Sequence, residues 1–338
     1  MSELVIIAEA GVNHKGDLSR ARDMVDCAAK AGADYINFQA FSTDHLIAKG
    51  TGTAAYQSYN TGQVSQSDLL RGLEVDTVGF TQLALACQQS GIGFMATAFD
   101  IEIVEALLTL GMDKIKIASG ELTNAPALIR FAQLGCPILL STGMASLDEV
   151  GDAVQLLQDN GVRDITLLQC TSLYPAPAET LNLRAMTTMG QTFQLPVGFS
   201  DHSLGDHASI AAVALGACVI EKHFTLDRTL PGPDHAASLE PAELTAMIRK
   251  LRDIASMLGS GEKVPNREEA EVAALVRRSW HAAHALEAGT VLSQTDVVLK
   301  RPAHGLAPSC SPIGRTIRRD MAADEAIRSA DISQQRES

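Results

Sequence analysis

The sequence predicts an α/β fold: a (β/α)8 TIM barrel followed by a small β-rich domain. Short apolar runs that read as buried parallel strands alternate with segments of helical period along most of the chain. Eight such units are what a (β/α)8 barrel requires. After Leu258 the alternation gives way to shorter strand-like pieces and turn residues, which predicts a second, smaller unit.

The predicted strands are bounded by their apolar runs. They cover residues 5–11, 35–40, 93–99, 114–119, 137–142, 165–171, 196–201 and 218–224. The predicted helices cover residues 18–31, 81–90, 101–110, 125–134, 147–160, 204–216 and 240–258. Gly32, Gly135 and Gly161 stand where a glycine is expected just past a helix end. The insert 42–75, rich in Thr, Ser and Gly, is predicted to form a long loop on the face of the barrel where catalysis occurs.

The domain boundaries follow from the change in composition. We predict a barrel over 1–262, a linker over 263–277 that includes a polar helical stretch, and a small domain over 278–338. A unit of about 60 residues has little core of its own, so it is expected to pack against something.

Composition excludes several classes of protein. The net charge of -13 argues against nucleic-acid and anionic-membrane partners, although a few placed cations can still hold an anionic substrate. The six cysteines are scattered without a C-x-x-C pair, as expected for buried thiols in a reducing compartment. The amino terminus lacks signal-peptide features and no apolar run reaches membrane-spanning length, so we expect a soluble cytoplasmic protein.

Two histidines give the barrel its first functional prediction. His202 and His223 each end a predicted strand, in Ser200-Asp201-His202 and Glu221-Lys222-His223-Phe224. Imidazoles at the carboxyl ends of neighbouring parallel strands can reach one divalent metal ion. The alternative is that each histidine is a satisfied polar group at a strand end.

Other polar residues stand where predicted strands end, and a barrel would bring them to one mouth. They include Glu9, Asn37, Gln39, Thr97, Lys116, Ser119, Glu121, Ser141, Thr171, Tyr174 and Ser200. Helix capping explains some of the hydroxyls equally well. Lys116 differs, because a lysine that points into a barrel needs an anionic partner.

Seven ordered blocks, which span almost the whole chain, resemble the sialic acid synthases. These blocks are 8–14, 116–121, 140–144, 170–175, 198–202, 221–224 and 231–234. The family comprises N-acetylneuraminate and legionaminate synthases, with a metal-dependent barrel and a carboxy-terminal SAF (antifreeze-like) domain. The tail resembles that domain through Arg278-Ser279, Glu287-Ala288-Gly289 and residues 300–305.

The resemblance implies condensation of phosphoenolpyruvate with N-acetylmannosamine, or a related acetamido-deoxyhexose, and water, giving a nine-carbon 2-keto acid and phosphate. It implies a divalent cofactor on His202 and His223, with Mn²⁺ first and Mg²⁺ or Co²⁺ as alternatives. Glu9 and Glu121 are the candidate acids or bases. The implied phosphoenolpyruvate ligands are Lys116, Ser119, Ser141, Ser172, Ser200 and, in a changed form, Asn37. The implied sugar ligands are Gln39, Tyr174, Asp234 and Arg301.

The family also implies a domain-swapped homodimer, in which Arg301 of one subunit reaches the partner's barrel. One residue departs from the family: the second strand reads Ile36-Asn37-Phe38-Gln39, whereas relatives usually have lysine at position 37. Loss of one charged hydrogen bond costs roughly 1.5 to 3 kcal/mol. A weaker phosphoenolpyruvate site is therefore expected unless another cation, such as Lys15 or Lys49, compensates.

Two further functions stay open on sequence grounds. One is a catalytically silent sugar-binding or scaffold protein, suggested only by Asn37. The other is a different phosphoenolpyruvate-dependent synthase that makes a shorter keto-deoxy sugar acid, which leaves the tail unexplained. The choice between neuraminate-type and legionaminate-type substrates also stays open, because the sugars differ at C4 and C6.

Overall fold

The computed structural model of the protein describes residues 4–48 and 65–333. Eight parallel strands close into a barrel, each hydrogen-bonded to the next and the last to the first, which confirms the predicted fold. Strands β1 to β8 cover Val5–Gly11, Tyr35–Ala40, Gly93–Ala98, Ile115–Ile117, Ile138–Ser141, Ile165–Cys170, Val197–Asp201 and Val219–His223. Each lies within its predicted range, because a parallel strand buried on both faces is a continuous apolar run.

Most helices of the first unit, Met1–Ser260, pack their apolar faces on the barrel strands. In chain order α1 to α11 cover Leu18–Ala31, Thr43–Leu46, Gln66–Arg71, Thr77–Ser90, Ile101–Thr109, Ala125–Ala132, Leu147–Asp159, Arg184–Phe193, His207–Ala214, Pro241–Leu258 and Arg267–Val276. Helix α1 ends at a glycine. Gly32 adopts φ 89°, and its N–H donates hydrogen bonds to carbonyls of the last turn of the helix. Ser146 and Glu149 form a capping box at the start of α7.

The barrel interior is filled in layers. Its lower layer is apolar and contains Ile7, Met95, Leu139, Leu168 and Val219. Side chains alternate along a strand, so the residue two positions later points to the same side. Those next residues are Glu9, Thr97, Ser141, Cys170 and Glu221. An apolar layer of side chains therefore lies beneath a largely polar layer near the carboxyl ends of the strands.

The insert is described only in part. Its described residues contain the short helices α2 and α3 rather than a continuous loop, and Leu73 packs with Val12 and Phe41. Residues 49–64, which include Lys49, lie outside the described part.

The chain divides into two compact units, Met1–Ser260 and Gly261–Ser338. The second contains α11 and an antiparallel pair of strands, β9 (Ser279–Ala282) and β10 (Val297–Lys300). Its apolar core consists of Ala282, Leu286, Leu292, Val297, Ile317, Met321, Ile327 and Ile332. The assignment of 263–277 as a linker stays a prediction.

Two further observations bear on the sequence predictions. All six cysteines are free thiols. Within residues 4–48 and 65–333, no helix has the length and apolar character needed to cross a membrane.

Candidate active site

The carboxyl ends of the strands enclose a cavity of about 370 Å³. It is lined by Glu9, Gln39, Thr97, Phe99, Lys116, Ala118, Ser119, Gly120, Ser141, Met144, Cys170, Ser172, Tyr174, Ser200, His202, Glu221 and His223. Most of the residues predicted from the strand ends therefore meet in one place.

A larger groove of about 1090 Å³ lies outside the barrel, beside α9. Because its wall is mainly apolar and holds none of the predicted site residues, the chemistry belongs to the smaller cavity.

His202 and His223 face one another across this cavity, with ring centroids 5.5 Å apart. His202 Nδ1 lies 2.6 Å from the carbonyl oxygen of Thr171. A carbonyl can only accept, so Nδ1 carries the proton and Nε2 presents a lone pair. His223 Nδ1 is buried without a hydrogen-bond partner. Asp234 Oδ2 lies 3.8 Å from this nitrogen.

Both imidazoles are held in the neutral form that binds metals. Burial lowers the pKa of His202. Burial and the neighbouring His202 lower the pKa of His223 well below its usual value. A carbonyl that fixes the tautomer of one ring is a common companion of a metal-ligating histidine. The pair, together with the unpartnered buried oxygen Oε1 of Glu9, fits a divalent ion that completes its coordination with water or substrate oxygens. Among the described residues, no three His, Cys, Asp or Glu side chains form a metal cluster by themselves.

Lys116 has the anionic partner that the sequence analysis required. Its Nζ lies 3.1 Å from Oε1 of Glu221, and both side chains are buried. Ser200 donates a 2.8 Å hydrogen bond to the same carboxylate oxygen. Burial acts to lower the pKa of Lys116, but the carboxylates of Glu221 and Glu9 outweigh it and the pKa is raised. Lys116 is therefore a fixed cation in the cavity wall.

Small hydroxyl groups line the side of the cavity next to Lys116. Ser119 Oγ accepts a 3.0 Å hydrogen bond from the Gly143 N–H and lies 3.2 Å from Cys170 Sγ. A Cβ on Gly143 would lie 2.4 Å from Ser172 Oγ, so a larger residue would displace the hydroxyl groups on this side of the cavity. Ser141 Oγ is buried without a hydrogen-bond partner. Lysine and several hydroxyls in one wall suit an anionic group with several acceptor oxygens.

Glu9 is the carboxylate that the structure places on the cavity floor. Burial and the negative Glu221 raise its pKa well above the usual value. The amide of Asn37 donates one hydrogen bond to Glu9 and another, 2.9 Å long, to Thr97 Oγ1. Asn37 is completely buried and is not among the residues that line the cavity. It supports Glu9 from the side instead of facing the space where a substrate would bind.

The predicted sugar ligands Gln39 and Tyr174 line the cavity and also a small side cavity of about 90 Å³ that includes Asp234. The hydroxyl of Tyr174 lies 3.1 Å from His202 Nε2. Burial raises the pKa of Asp234 to about 6. The structure therefore brings Tyr174 and Asp234 next to the histidines and Gln39 into the same cavity wall.

Glu121, like Asn37, does not line the cavity, and Arg301 lies in the second unit. Glu121 lies on the short turn Ser119–Glu121, and its carboxylate accepts a 2.6 Å hydrogen bond from Asn124 instead of lining the cavity. Arg301 belongs to the second unit, directly after β10. The roles predicted for both residues remain predictions.

Glu221 was not among the predicted site residues, although it lies within the family-like block 221–224. Strand alternation could have identified it, because Glu221 and His223 are two residues apart and share the inward face of β8. The second signal was Lys116 on β4, which lies across the barrel from β8 and needs an anionic partner.

A barrel with a polar cavity at its carboxyl-terminal mouth, followed by a second unit with its own core, defines a (β/α)8 enzyme with an accessory domain. The NeuB family matches residues 24–263, and the SAF domain matches residues 277–333. The chain belongs to the NeuB family, which confirms the predicted family and the predicted tail.

Relatives and solved structures agree with this assignment. The N,N'-diacetyllegionaminic acid synthase of Campylobacter jejuni is 43% identical over 97% of this chain and 100% of the relative. The synthase of the same name from Legionella pneumophila is 45% identical over 90% of this chain and 87% of the relative. The crystal structure of N-acetylneuraminic acid (sialic acid) synthetase from Leptospira borgpetersenii in complex with citrate is 36% identical, with a TM-score of 0.73, and covers 80% of this chain and 90% of that one. The prediction that the chain is a synthase is thereby confirmed.

Proposed function

We propose that the protein condenses phosphoenolpyruvate with an acetamido-deoxyhexose and water to form a nonulosonate and phosphate. The observation that carries this proposal is the single cavity that joins a lysine-and-hydroxyl wall to two neutral histidines and a buried glutamate. The first part suits a phosphorylated acid, and the second suits an aldehyde that must be polarised.

The substrate that we propose first is an aldose with two acetamido groups. The two relatives that match 43% and 45% of aligned positions are both named N,N'-diacetyllegionaminic acid synthases. N-Acetylmannosamine is the second candidate, since the sialic acid synthetase structure also resembles this chain.

The anionic substrate would lie against Lys116, with the hydroxyls of Ser119, Ser141, Ser172 and Ser200 as further donors. Lys116 already pairs with Glu221, so the incoming phosphate or carboxylate must share this cation with a fixed carboxylate. Glu221 thus sets the position of Lys116 while it reduces the net attraction for anions. Gln39, Tyr174 and Asp234 would hold the polar groups of the sugar.

The chemistry requires C3 of the enolpyruvate to attack the open-chain aldehyde, water to add at C2, and phosphate to leave with cleavage of its bond to C2. A divalent ion on His202 and His223, with Mn²⁺ first and Mg²⁺ or Co²⁺ as alternatives, would supply Lewis-acid polarisation of the aldehyde. Glu9 exchanges protons in these steps. Its raised pKa favours this, since a general acid or base works best with a pKa near the working pH.

Three further features belong to the proposal. The protein acts as a domain-swapped homodimer, and Arg301 of one subunit completes the sugar site of the partner. It works in the cytoplasm, and its partners are the small-molecule substrates. The domain boundaries at 262 and 277 separate the catalytic barrel from the SAF domain through a linker.

Release of phosphate tests the proposal. With Mn²⁺, release should require phosphoenolpyruvate and the acetamido sugar together, and chelation should stop it. Release with arabinose 5-phosphate or erythrose 4-phosphate instead would favour the shorter keto-deoxy acid. No release at saturating substrates would favour the silent sugar-binding protein.

A further inference from the structure

Behind the two histidines lies a fully buried ion pair. Lys222 Nζ is 3.1 Å from Asp201 Oδ2, and both side chains are completely excluded from solvent. Asp201 and Lys222 are also paired in register across β7 and β8. Since side chains alternate along a strand, these two point outward, toward the helices, while the histidine that follows each of them points into the cavity.

The pair lies within a network that holds the backbone on both sides of His202. Asp201 Oδ1 accepts hydrogen bonds of 2.8 and 2.6 Å from the N–H and hydroxyl of Ser203. Lys222 Nζ donates to the carbonyl oxygen of the same Ser203. Asp201 Oδ2 accepts a 2.7 Å hydrogen bond from Ser209 on α9. The network therefore ties together the ends of β7 and β8, the turn after His202 and one helix.

Stability alone does not explain this arrangement. Removal of two charges from water costs several kcal/mol per ion, and a well-packed apolar pair is often as stable as a buried ion pair or more so. A buried ion pair differs from an apolar pair in direction, because its hydrogen bonds are satisfied in only one register. The two histidines that follow this pair in the chain have ring centroids 5.5 Å apart.

We propose that the Asp201–Lys222 pair is a positioning device that holds His202 and His223 at the separation needed to share one divalent cation. This inference rests on the metal-dependent function proposed above. Loss of a group that orients metal ligands typically reduces metal affinity 10- to 100-fold. Neither residue touches the cavity, so the effect should appear in metal binding before it appears in substrate binding.

The test is Mn²⁺ affinity of the full-length protein, measured by electron paramagnetic resonance without substrate. Asp201→Asn and Lys222→Met should each raise the Mn²⁺ Kd about tenfold or more. Ser209→Ala removes one hydrogen bond and no charge, so it should fold normally and raise the Kd by a smaller factor. Nitrogen couplings from two imidazoles should be seen in the wild type and weaken in the variants.

The matched control is Asp34→Asn. Asp34 pairs with Arg252 at 2.6 Å just before β2, at the opposite end of the barrel. Its loss should lower the melting temperature and leave the Mn²⁺ Kd unchanged. If folded Asp201, Lys222 and Ser209 variants all bind Mn²⁺ like the wild type, the positioning role is wrong while the proposed function stands. A wild type that binds no Mn²⁺ would overturn the inference and the metal-dependent function together.

Discussion

The side-chain amide of Asn37 donates a hydrogen bond to Glu9 at the position where the family resemblance leads us to expect lysine. Asn37 is neutral, fully buried and also bonded to Thr97. Lys116 is consequently the only lysine among the described residues that line the cavity. Lys15 does not line it, and Lys49 lies outside the described residues. The cation content of the site is therefore low for an enzyme that binds a phosphorylated acid.

Asn37 does not line the cavity, so Asn37→Lys acts on phosphoenolpyruvate only if the longer side chain reaches past Glu9. In that case one charged hydrogen bond, which contributes roughly 1.5 to 3 kcal/mol, should lower the phosphoenolpyruvate KM about tenfold. The sugar KM should change little, since Gln39 is unaltered. Steady-state kinetics with each substrate varied in turn measure both. Asn37→Gln, which lengthens the side chain without a charge, is the matched control and should lack the gain. An unchanged or higher phosphoenolpyruvate KM in the lysine variant would show that another cation compensates.

Glu9→Gln and Glu121→Gln distinguish the two candidate glutamates. Glu9 faces the cavity with a raised pKa, whereas Glu121 accepts a hydrogen bond from Asn124 away from it. Glu9→Gln should reduce kcat about 100-fold or more, the range of general acid–base catalysis. Glu121→Gln should keep kcat within about twofold of the wild type by the same argument. The reverse pattern would transfer the proton-exchange role to Glu121.

Subunit mixing tests whether Arg301 acts on the partner's barrel. Arg301→Ala and His223→Ala should each be inactive alone. After exchange at equal amounts, about half of the dimers are hybrids with one intact site each, so about a quarter of wild-type activity should return. If Arg301 served its own barrel, both sites of every hybrid would be defective. No recovery after verified exchange would therefore exclude the arrangement in trans.

The barrel should lose stability as the pH falls from 6.5 to 4. Burial lowers the pKa of His14 to about 4 from its ordinary value of 6.5. Within that window the unfolded chain binds a proton that the folded chain does not, so His14 contributes stability above pH 6.5 that is lost on acidification. At about 1.4 kcal/mol per pKa unit, the loss is on the order of 2 to 3 kcal/mol.

Urea unfolding followed by far-ultraviolet circular dichroism measures this change. The single tryptophan, Trp280, lies in the second unit, so its fluorescence follows that unit separately. His14→Gln should have a shallower dependence of unfolding free energy on pH over this window. The same slope in both proteins would contradict the assignment to His14.

Strand positions could be predicted from the sequence because most barrel strands are short apolar runs ended by a polar residue, as in Ile138–Ser141, which reads ILLS. The helix Arg184–Phe193 was not among the predicted helices, since only Met186 and Met189 of its residues are buried. The direction in which a side chain points at a strand end was harder to predict from the sequence. The turn at Ser119–Glu121 directs Ser119 toward Gly143 and Glu121 toward Asn124, and no spacing rule distinguishes these directions.

The central claim is the formation of a carbon–carbon bond between phosphoenolpyruvate and an acetamido sugar. The most direct measurement is mass spectrometry of the products from phosphoenolpyruvate labelled with ¹⁸O in the oxygen that bridges C2 and phosphorus, with the diacetamido aldose and Mn²⁺. One nonulosonate is expected for each phosphate released, and the phosphate should retain the label because the bond to C2 breaks. Pyruvate without a nonulosonate, or phosphate without the label, would contradict it.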